Sequence, residues 1–344
     1  MDGFIKMSRY AGMREDLVQA GGGNSSYKLD NNKMLIKASG YQLAELTEND
    51  GYAMVDYQKI RNNFLNYTHL DNMTEKESNQ ILRDAYIRGE KPSIETFLHA
   101  ISGKYTLHTH PVVINALTCR QGGMEILAEL FPQALIVPYA TPGAELAKKF
   151  FGEYKKKTGL EEKIFDVVFL QNHGLVVSGE TAEKVIEKTE YIVQKTEEYL
   201  SVDYGSYHRL TELWKYFPEK IVWKVTDENV TKAITKMGEE WNYTFCPDCV
   251  VFLGKRILKL QDHFFAAEIE KFRDSYGHPV IVYWQENYYI LADTVKKAME
   301  IQSVLSFAAQ VMLLNMNQKC VFLTDLEQNF LLNWDAEKYR KNMK

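Results

Sequence analysis

The stretch YTLHTHP, residues 105–111, carries the pattern that decides the fold and the chemistry of this chain. Its β-branched and aromatic residues predict a short strand over residues 105–110, which Pro111 ends. Alternate side chains of a strand share a face, so His108 and His110 point the same way. Two adjacent imidazoles repel each other when charged, but when neutral they suit one divalent cation.

A third histidine, His173, follows the predicted strand 165–170 and precedes the predicted strand 174–177. At such a corner its imidazole can project into a cleft. Three protein ligands with one open coordination position are the arrangement of a catalytic zinc site. The alternative is that His108 and His110 are surface residues of an edge strand, and the pattern alone leaves both interpretations open.

Composition and charge narrow the class of protein. Of the 344 residues, 45% are hydrophobic and 25% are charged, which is ordinary for a globular protein. The formal net charge of −5 gives no general attraction to nucleic acid or to an anionic membrane, so neither is expected as a partner. The N-terminal residues do not form a signal peptide, and there are only four cysteines. These features predict a cytoplasmic protein with reduced thiols.

Helical and strand-like segments alternate through the first two hundred residues. A helix over residues 4–19 is followed by a predicted hairpin of strands 25–29 and 33–38, joined by Asp30-Asn31-Asn32. Ser93 is a candidate N-cap for a new helix after Pro92. Further helices are predicted at residues 75–89, 112–130, 143–157 and 181–200, with a strand at 134–138. Strands mixed with covering helices predict a layered α/β fold.

The pattern changes after Tyr204. Strands are predicted at residues 250–253, 257–259, 279–284 and 288–292, with helices at about 264–274 and 294–315. We therefore expect a first domain of residues 1–208 and a smaller C-terminal α/β domain of residues 209–344, whose role the sequence does not indicate. Cys246 and Cys249 form a single CxxC pair. One pair does not complete a structural zinc site, so we expect packing, with metal or redox chemistry as alternatives.

Five ordered motifs resemble the class II aldolase/adducin family across about residues 5–200. They are GGNSS at 22–26, KASG at 37–40, PSIET at 92–96, HTHP at 108–111 and QNHG at 171–174. The chain is similar in particular to the aldolase part of bifunctional rhamnulose-1-phosphate aldolase/alcohol dehydrogenase proteins. No glycine-rich dinucleotide fingerprint follows a strand, so a dehydrogenase part is not expected. The resemblance implies a layered αβα domain with a central, mostly antiparallel sheet.

By this resemblance, His108, His110 and His173 bind zinc or another divalent ion such as Mn²⁺ or Co²⁺, and Glu95 lies beside it. The ion would chelate a phosphorylated ketose and stabilise the enediolate left when a carbon–carbon bond breaks. Glu95 would be the acid/base, with its pKa raised once a cleft closes over it. Taken alone, a glutamate at this position is equally typical of the first turn of a helix.

The resemblance also implies contacts with the substrate. Asn24, Ser39, Gly40 and Ser93 match positions that bind the substrate phosphate in family aldolases. Small residues let backbone N–H groups approach an anion, and hydroxyls donate to it. Tyr139 resembles a family tyrosine near the site and is the candidate proton donor, although a buried tyrosine in a turn is equally ordinary.

Three other polar residues are expected to have lesser roles. Lys28 and Lys37 could add positive charge for the phosphate, but exposed lysines are usually only solvated. His99 lies four residues after Glu95, so the two share a face of the predicted helix. It could orient Glu95, but we expect a structural role for it.

The predicted activity is that of a lyase that cleaves a ketose 1-phosphate into dihydroxyacetone phosphate and an aldehyde, and the resemblance implies a homotetramer. A sugar-phosphate epimerase or a dehydratase of the same family remains an alternative. The epimerases typically have aspartate where this chain has Glu95, which favours cleavage. A non-catalytic adducin-like scaffold is disfavoured, because all three candidate ligands are present.

Overall fold

The computed structural model describes residues 1–66, 74–158, 165–238, 241–261 and 265–333. The chain divides into two compact units, Met1–Tyr204 and Gly205–Lys344. This division lies four residues before the boundary that the sequence suggested, and each unit has its own sheet and its own core.

The first unit alternates strands and helices, and the elements at Tyr52–Asp56, Tyr57–Asn66 and Tyr86–Gly89 were not predicted from the sequence. Its strands are β1 (Asn24–Lys28), β2 (Lys33–Lys37), β3 (Tyr52–Asp56), β4 (Tyr86–Gly89), β5 (Tyr105–Thr109), β6 (Leu135–Val137), β7 (Val167–Leu170) and β8 (Gly174–Gly179). Its helices are α1 (Asp2–Gly12), α2 (Tyr57–Asn66), α3 (Glu75–Ala85), α4 (Thr96–Ile101), α5 (Val112–Thr118), α6 (Gly123–Leu130), α7 (Ala144–Thr158) and α8 (Ala182–Leu200).

Within the described residues, these eight strands form one sheet in the order β4-β3-β2-β1-β5-β8-β7-β6. Every neighbouring pair is antiparallel except β6 with β7. β5 lies in the middle, where Asn24 of β1 is opposite His108 and Leu175 of β8 is opposite Thr109. The mostly antiparallel sheet implied by the family resemblance is thereby confirmed.

Strand β2 shows how helices cover both faces of this sheet. Met34 and Ile36 belong to a core that includes Phe97 of α4, whereas Leu35 packs in a separate core with Phe4 of α1. Alternate residues of a strand face opposite sides, so the two cores lie on the two faces. Burying each of these side chains contributes roughly 1.5–3 kcal/mol. The layered αβα arrangement is confirmed.

The hairpin between β1 and β2 forms as predicted. Asn31 and Asn32 have φ angles of 66° and 63°, in the left-handed region. Asparagine tolerates this region better than most residues, because its short side chain can bond to the local backbone.

Three local predictions in the first unit were wrong, each because tertiary contacts prevailed. The first helix ends at Gly12 instead of residue 19, since the chain turns there into a buried ionic cluster around Arg14. Residues 86–89 form strand β4, because they pair with the edge of β3. Ser93 is not the N-cap of the next helix: α4 begins at Thr96, with Glu95 at the capping position.

The second unit is smaller and has a different topology. Its strands are β9 (Ile221–Lys224), β10 (Leu258–Lys259), β11 (Ile281–Trp284) and β12 (Asn287–Ala292), in the order β10-β11-β12-β9. Its helices are α9 (Gly205–Trp214), α10 (Glu228–Met237), α11 (Pro247–Leu253), α12 (Phe265–Tyr276), α13 (Val295–Leu314) and α14 (Asp325–Asn333). No helix in the described parts of either unit is long and apolar enough to cross a membrane.

Here the sequence analysis missed β9 and wrongly predicted a strand at residues 250–253, which form the end of α11. A run of four apolar residues does not distinguish a strand from a buried helical turn. Pro247 at the first position of the helix and Asp248 in its first turn were the signals that favour a helix. The predicted helix at 264–274 is α12, although residue 264 lies outside the described residues.

Candidate metal centre

Strand pairing brings the three predicted histidines together. His108 is the fourth residue of β5, His110 follows the end of that strand, and His173 immediately precedes β8. Because β5 and β8 are hydrogen-bonded neighbours, residues at the end of one strand meet residues at the start of the other. All three side chains offer a ligand atom, and these atoms lie within 4.8 Å of one another.

The separations of the ring nitrogens fit one small cation. Nε2 of His108 lies 3.1 Å from Nε2 of His110 and 3.2 Å from Nε2 of His173. Ligands at about 2.0–2.1 Å from a tetrahedral ion are about 3.3 Å apart, which is close to the two observed values. The donor set of three imidazoles suits zinc and similar transition-metal ions.

Burial keeps this set of imidazoles ready to bind a cation. Burial lowers the pKa of His108 below its usual value, and burial together with the positive forms of His108 and His173 lowers the pKa of His110 to about 3. Neutral imidazoles present lone pairs to a metal, whereas protonated ones do not. Nδ1 of His108 is 3.0 Å from the carbonyl oxygen of Leu175, to which its N–H donates, and this leaves Nε2 as the free ligand atom.

Two glycines, Gly22 of the GGNSS motif and Gly174 of the QNHG motif, lie where a larger side chain would not fit. A side chain on Gly22 would meet the ring of His110, with Nδ1 3.0 Å from its Cβ, and would displace that imidazole. A side chain on Gly174 would collide with the carbonyl oxygen of Thr109, at the point where β8 pairs with β5. Both glycines therefore let the backbone approach closely enough to assemble the histidines.

The carboxylate of Glu95 lies directly against the histidines. Its Oε1 is 3.1 Å from Nε2 of His173, and its Oε2 is 3.6 Å from Nε2 of His108. Burial raises the pKa of this carboxyl group, but His108, His173 and the amide of Asn24 together outweigh burial and hold the pKa below its usual range. The raised pKa expected for Glu95 is thus not what this structure gives, because its donors favour the ionised form.

A chain of buried hydrogen bonds holds Glu95 in place. The Nδ2 group of Asn24 donates to Oε2 of Glu95, and Oδ1 of Asn24 accepts from Nε2 of His99. Nδ1 of His99 then accepts from the hydroxyl of Ser26 at 2.7 Å. Burial lowers the pKa of His99 to about 3, so the ring is neutral and can both donate and accept.

The sequence analysis missed this chain. The spacing of Glu95 and His99 indicated a shared helix face. In the structure, hydrogen bonds link the two side chains through Asn24 of strand β1. Asn24 was identified only as a phosphate ligand. In this structure both ends of its carboxamide are engaged with protein groups, and it is 3% exposed.

Lys37 was also missed, because it was interpreted as a solvated lysine. It is 3% exposed, and its ammonium donates to the carbonyl oxygen of Gly21 at 3.0 Å. Burial lowers the pKa of Lys37, while attraction to Glu95 opposes that change, so this cation lies within electrostatic range of the site. The burial of Lys37 could not be predicted from the sequence, because it depends on segments that are distant along the chain.

Three of the predicted phosphate ligands meet beyond the end of β2. The backbone N–H of Ser39 donates to the carbonyl oxygen of Lys91 at 2.9 Å, and Ala38 forms a bridge with Pro92. Ser39 and Gly40 are therefore held beside the segment that carries Ser93. Ser93 is partly buried, and its hydroxyl oxygen accepts from the backbone N–H of Glu95 at 3.3 Å.

Tyr139 lies in the loop after β6 and is 58% exposed, so it is not the buried tyrosine that the sequence suggested. Its backbone N–H donates to the side chain of Gln171 at 3.2 Å, two residues before His173. This places the loop near the corner of the third histidine, with the phenol ring directed to solvent.

A buried ionic cluster fixes the turn that is hydrogen-bonded to the backbone of His110. Arg14 is fully buried and makes a two-pronged contact with Asp16, at 2.7 and 2.6 Å, and a third contact with Glu190 at 2.7 Å. The carbonyl oxygen of Leu17, in the same turn, accepts from the backbone N–H of His110 at 2.8 Å. Removing one partner of a buried ion pair typically costs about 3–5 kcal/mol, so this turn is strongly fixed.

Residues 3–200 match the Class II Aldolase and Adducin N-terminal domain family. The chain belongs to that family. Over 211 residues it is 29% identical to the uncharacterized oxidoreductase YuxG of Bacillus subtilis (strain 168), covering 57% of this chain and 29% of that protein. The chain thus spans less than a third of the length of this curated relative.

Two solved structures are similar to part of this chain. The N-terminal class II aldolase domain of a conserved protein from Thermoplasma acidophilum is 26% identical, with a TM-score of 0.50, and the match covers 58% of this chain and 92% of that one. An L-fuculose-1-phosphate aldolase from Thermus thermophilus is 17% identical, with a TM-score of 0.37, over 61% of this chain and 95% of that one.

The three histidines should be needed for metal binding. We expect His108→Ala and His110→Ala each to lower metal occupancy after purification and dialysis, because two imidazoles hold a divalent ion more weakly than three. His278→Ala, at an exposed histidine of the second unit, is the matched control. Elemental analysis measures the metal content, and full retention in both variants would show that the ion is held elsewhere.

The lowered pKa values predict an unusual proton balance. At pH 6, two histidines with the ordinary pKa near 6.5 would together release about 1.5 protons when they bind an ion. Because the pKa of His110 is about 3, this imidazole is already neutral at pH 6 and should release no proton. The lowered pKa of His108 reduces the release from that residue below the value for an ordinary histidine. Calorimetric titration of the metal-free protein in buffers of different ionisation enthalpy counts the protons. A release of two or more per ion would contradict the expectation.

Proposed function

We propose that this chain is a metal-dependent lyase that cleaves, or in reverse forms, a carbon–carbon bond of a phosphorylated ketose. The observation that carries this proposal is the contact of the buried carboxylate of Glu95 with His108 and His173, two of the three histidines whose ligand atoms can share one cation. Membership of the class II aldolase and adducin family supports it. The ion, when bound, supplies a Lewis acid for the carbonyl and hydroxyl oxygens of the ketose.

Glu95 is the residue proposed to move the proton. Its Oε2 accepts from the amide of Asn24, and its Oε1 lies 3.1 Å from Nε2 of His173. When that imidazole holds the ion, Oε1 would be the oxygen that accepts the proton of the substrate hydroxyl at the bond that breaks. The same oxygen can return the proton to the carbon that becomes negatively charged. His99 and Ser26 act through Asn24 by fixing the orientation of the carboxylate, and geometry of this kind is a prerequisite for general acid/base catalysis.

The substrate phosphate is proposed to bind beyond the end of β2. Ser39, Gly40 and Ser93 are brought to one place there, and small residues with free hydroxyl or N–H groups suit a phosphate. Gly40 has a φ of 88° and open space where a Cβ would lie, so an anion can approach its backbone. Lys37 adds a positive charge to a chain whose net charge of −5 otherwise repels anions. Asn24 could bind the substrate phosphate only if its side-chain amide released its hydrogen bond to Glu95 or His99.

Among alternatives within the family, a sugar-phosphate epimerase or a dehydratase would use the same ion and the same carboxylate. We favour cleavage because the carboxylate is the longer glutamate in place of the aspartate typical of the epimerases. A scaffold without activity is disfavoured, because a buried carboxylate against one buried and two half-buried imidazoles is costly unless a cation compensates for it.

The more specific proposals, on substrate, product, ion, compartment and oligomeric state, rest on the resemblance of the five motifs to the family. We propose dihydroxyacetone phosphate as one product, rhamnulose 1-phosphate as the first ketose to test, zinc as the resident ion, and a cytoplasmic homotetramer as the working form. The four cysteines are free thiols in this structure, which is consistent with a reducing compartment. The name of the Bacillus relative supplies no activity here, since the match covers only 29% of that protein.

The test is a screen of ketose 1-phosphates with protein loaded with zinc, cobalt or manganese, in which released dihydroxyacetone phosphate is coupled to an indicator reaction. We expect at least one ketose phosphate to be cleaved, and chelation to abolish the activity. Glu95→Gln should keep the ion and the fold but lower kcat by about 10²–10⁴-fold, the usual contribution of a general acid/base.

The product distinguishes the alternatives. An isomeric sugar phosphate without dihydroxyacetone phosphate would indicate an epimerase, and loss of water would indicate a dehydratase. Glu90→Gln, at an exposed glutamate of the loop that leads to the site, is the matched control. If Glu95→Gln turns over at the normal rate, Glu95 is only a structural carboxylate.

The proposed phosphate site can be tested separately. Ser39→Ala and Lys37→Met should each weaken binding of a phosphorylated substrate, because a hydrogen bond to a charged group is worth about 1.5–3 kcal/mol, or roughly 10–150-fold in affinity. Lys33→Met, at an exposed lysine of the same strand β2, should have little effect. The ratio of KM values for phosphorylated and unphosphorylated substrates is the measurement. Equal losses with both substrates would mean that these residues shape the loop instead.

A further inference from the structure

The pair Cys246 and Cys249 in the second unit has no part in the metal centre. Cys246 immediately precedes α11, Pro247 and Asp248 follow it, and Cys249 lies in the first turn of that helix. The two Sγ atoms are 3.2 Å apart, and the thiol of Cys246 donates a hydrogen bond to Sγ of Cys249. A disulfide requires about 2.0 Å, so a movement of roughly 1 Å closes the bond without refolding the helix.

The two thiols differ in a way that suits sequential reaction. Cys246 is partly exposed and adjoins two exposed residues, whereas Cys249 is completely buried in the core of this unit. Burial raises the pKa of the Cys249 thiol, and the neighbouring Cys246 raises it further. An incoming reagent therefore meets Cys246 first, and Cys249 reacts only with the sulfur beside it.

The surroundings of the pair include a second unused polar group. The hydroxyl of Tyr243 is buried and has no hydrogen-bond partner among the described residues, and Tyr243 belongs to the same core cluster as Cys249. A buried hydroxyl without a partner is uncommon in folded proteins.

We propose that Cys246 and Cys249 form a reversible dithiol–disulfide centre that exchanges electrons with small disulfides. The Cys246 thiolate attacks one sulfur of the disulfide RSSR and releases RS⁻, giving a mixed disulfide. The Cys249 thiol loses its proton and attacks Sγ of Cys246, which releases the second RS⁻. Two thiols are oxidised, one disulfide is reduced to two thiols, and two protons and two electrons are transferred.

The experiment uses the full-length chain, as wild type and as a variant with Cys119→Ser and Cys320→Ser that retains only this pair. Each protein is reduced, equilibrated with mixtures of reduced and oxidised glutathione, quenched with acid, denatured and alkylated. Intact mass and peptide mapping then count the free thiols. We expect two alkylated cysteines in reduced double-variant protein and none after oxidation, with Cys246 joined to Cys249 and full recovery on reduction.

Two further variants in the same background separate the roles of the thiols. Cys249→Ala should accumulate one glutathione on Cys246, because no second thiol resolves the mixed disulfide. Cys246→Ser should leave Cys249 unmodified in the folded protein. Circular dichroism of the reduced proteins confirms that each variant is folded, and Cys249→Ser replaces Cys249→Ala if the latter is not.

The outcomes decide the proposal. Recovery of the internal bond, together with the different behaviour of the two single variants, supports it. Two thiols that remain free in oxidised glutathione, a bond that thiols do not reduce, or glutathione on Cys249 instead of Cys246 would overturn it.

Discussion

The register of β5 between β1 and β8 is the constraint on which the candidate site depends. Pairing with β8 sets His108 and His110 beside the corner that carries His173, and pairing with β1 sets Asn24 opposite His108. A shift of one residue would turn every side chain of β5 to the opposite face of the sheet. The site would then lose two ligands at once, so the central position of this strand fixes both the metal centre and its support.

Electrostatics then determines what this pocket accepts. The lowered pKa values of His108 and His110 favour their neutral forms, and the lowered pKa of Glu95 favours its ionised form, which together favour a divalent cation. The carboxylate of Glu95 keeps one oxygen engaged with Asn24 and the other near the histidines. The same environment that attracts the ion also holds the proposed base in its ionised form.

The two units illustrate different limits of sequence reasoning. In the first, the motifs are specific, and several wrong predictions lie at ends of elements, such as the helix that starts at Thr96 instead of Ser93. Strand β3 and helix α2, which carry none of the motifs, were not predicted. In the second, no motif fixed the register of the elements, so the short apolar run at 250–253 was assigned to a strand although it is helical. Local propensity distinguishes a strand from a helical turn poorly when the segment is this short.

By itself, the sequence predicted most elements of the first unit and brought three histidines forward as candidate ligands, because strand alternation places His108 and His110 on one face and local turn chemistry places His173 at a corner. It also determined the family, through five ordered motifs. Only the tertiary structure decided that His99 supports Glu95 through Asn24, that Lys37 is buried near the site and that Tyr139 is exposed. Those properties depend on contacts between residues far apart in the chain, which no local pattern encodes.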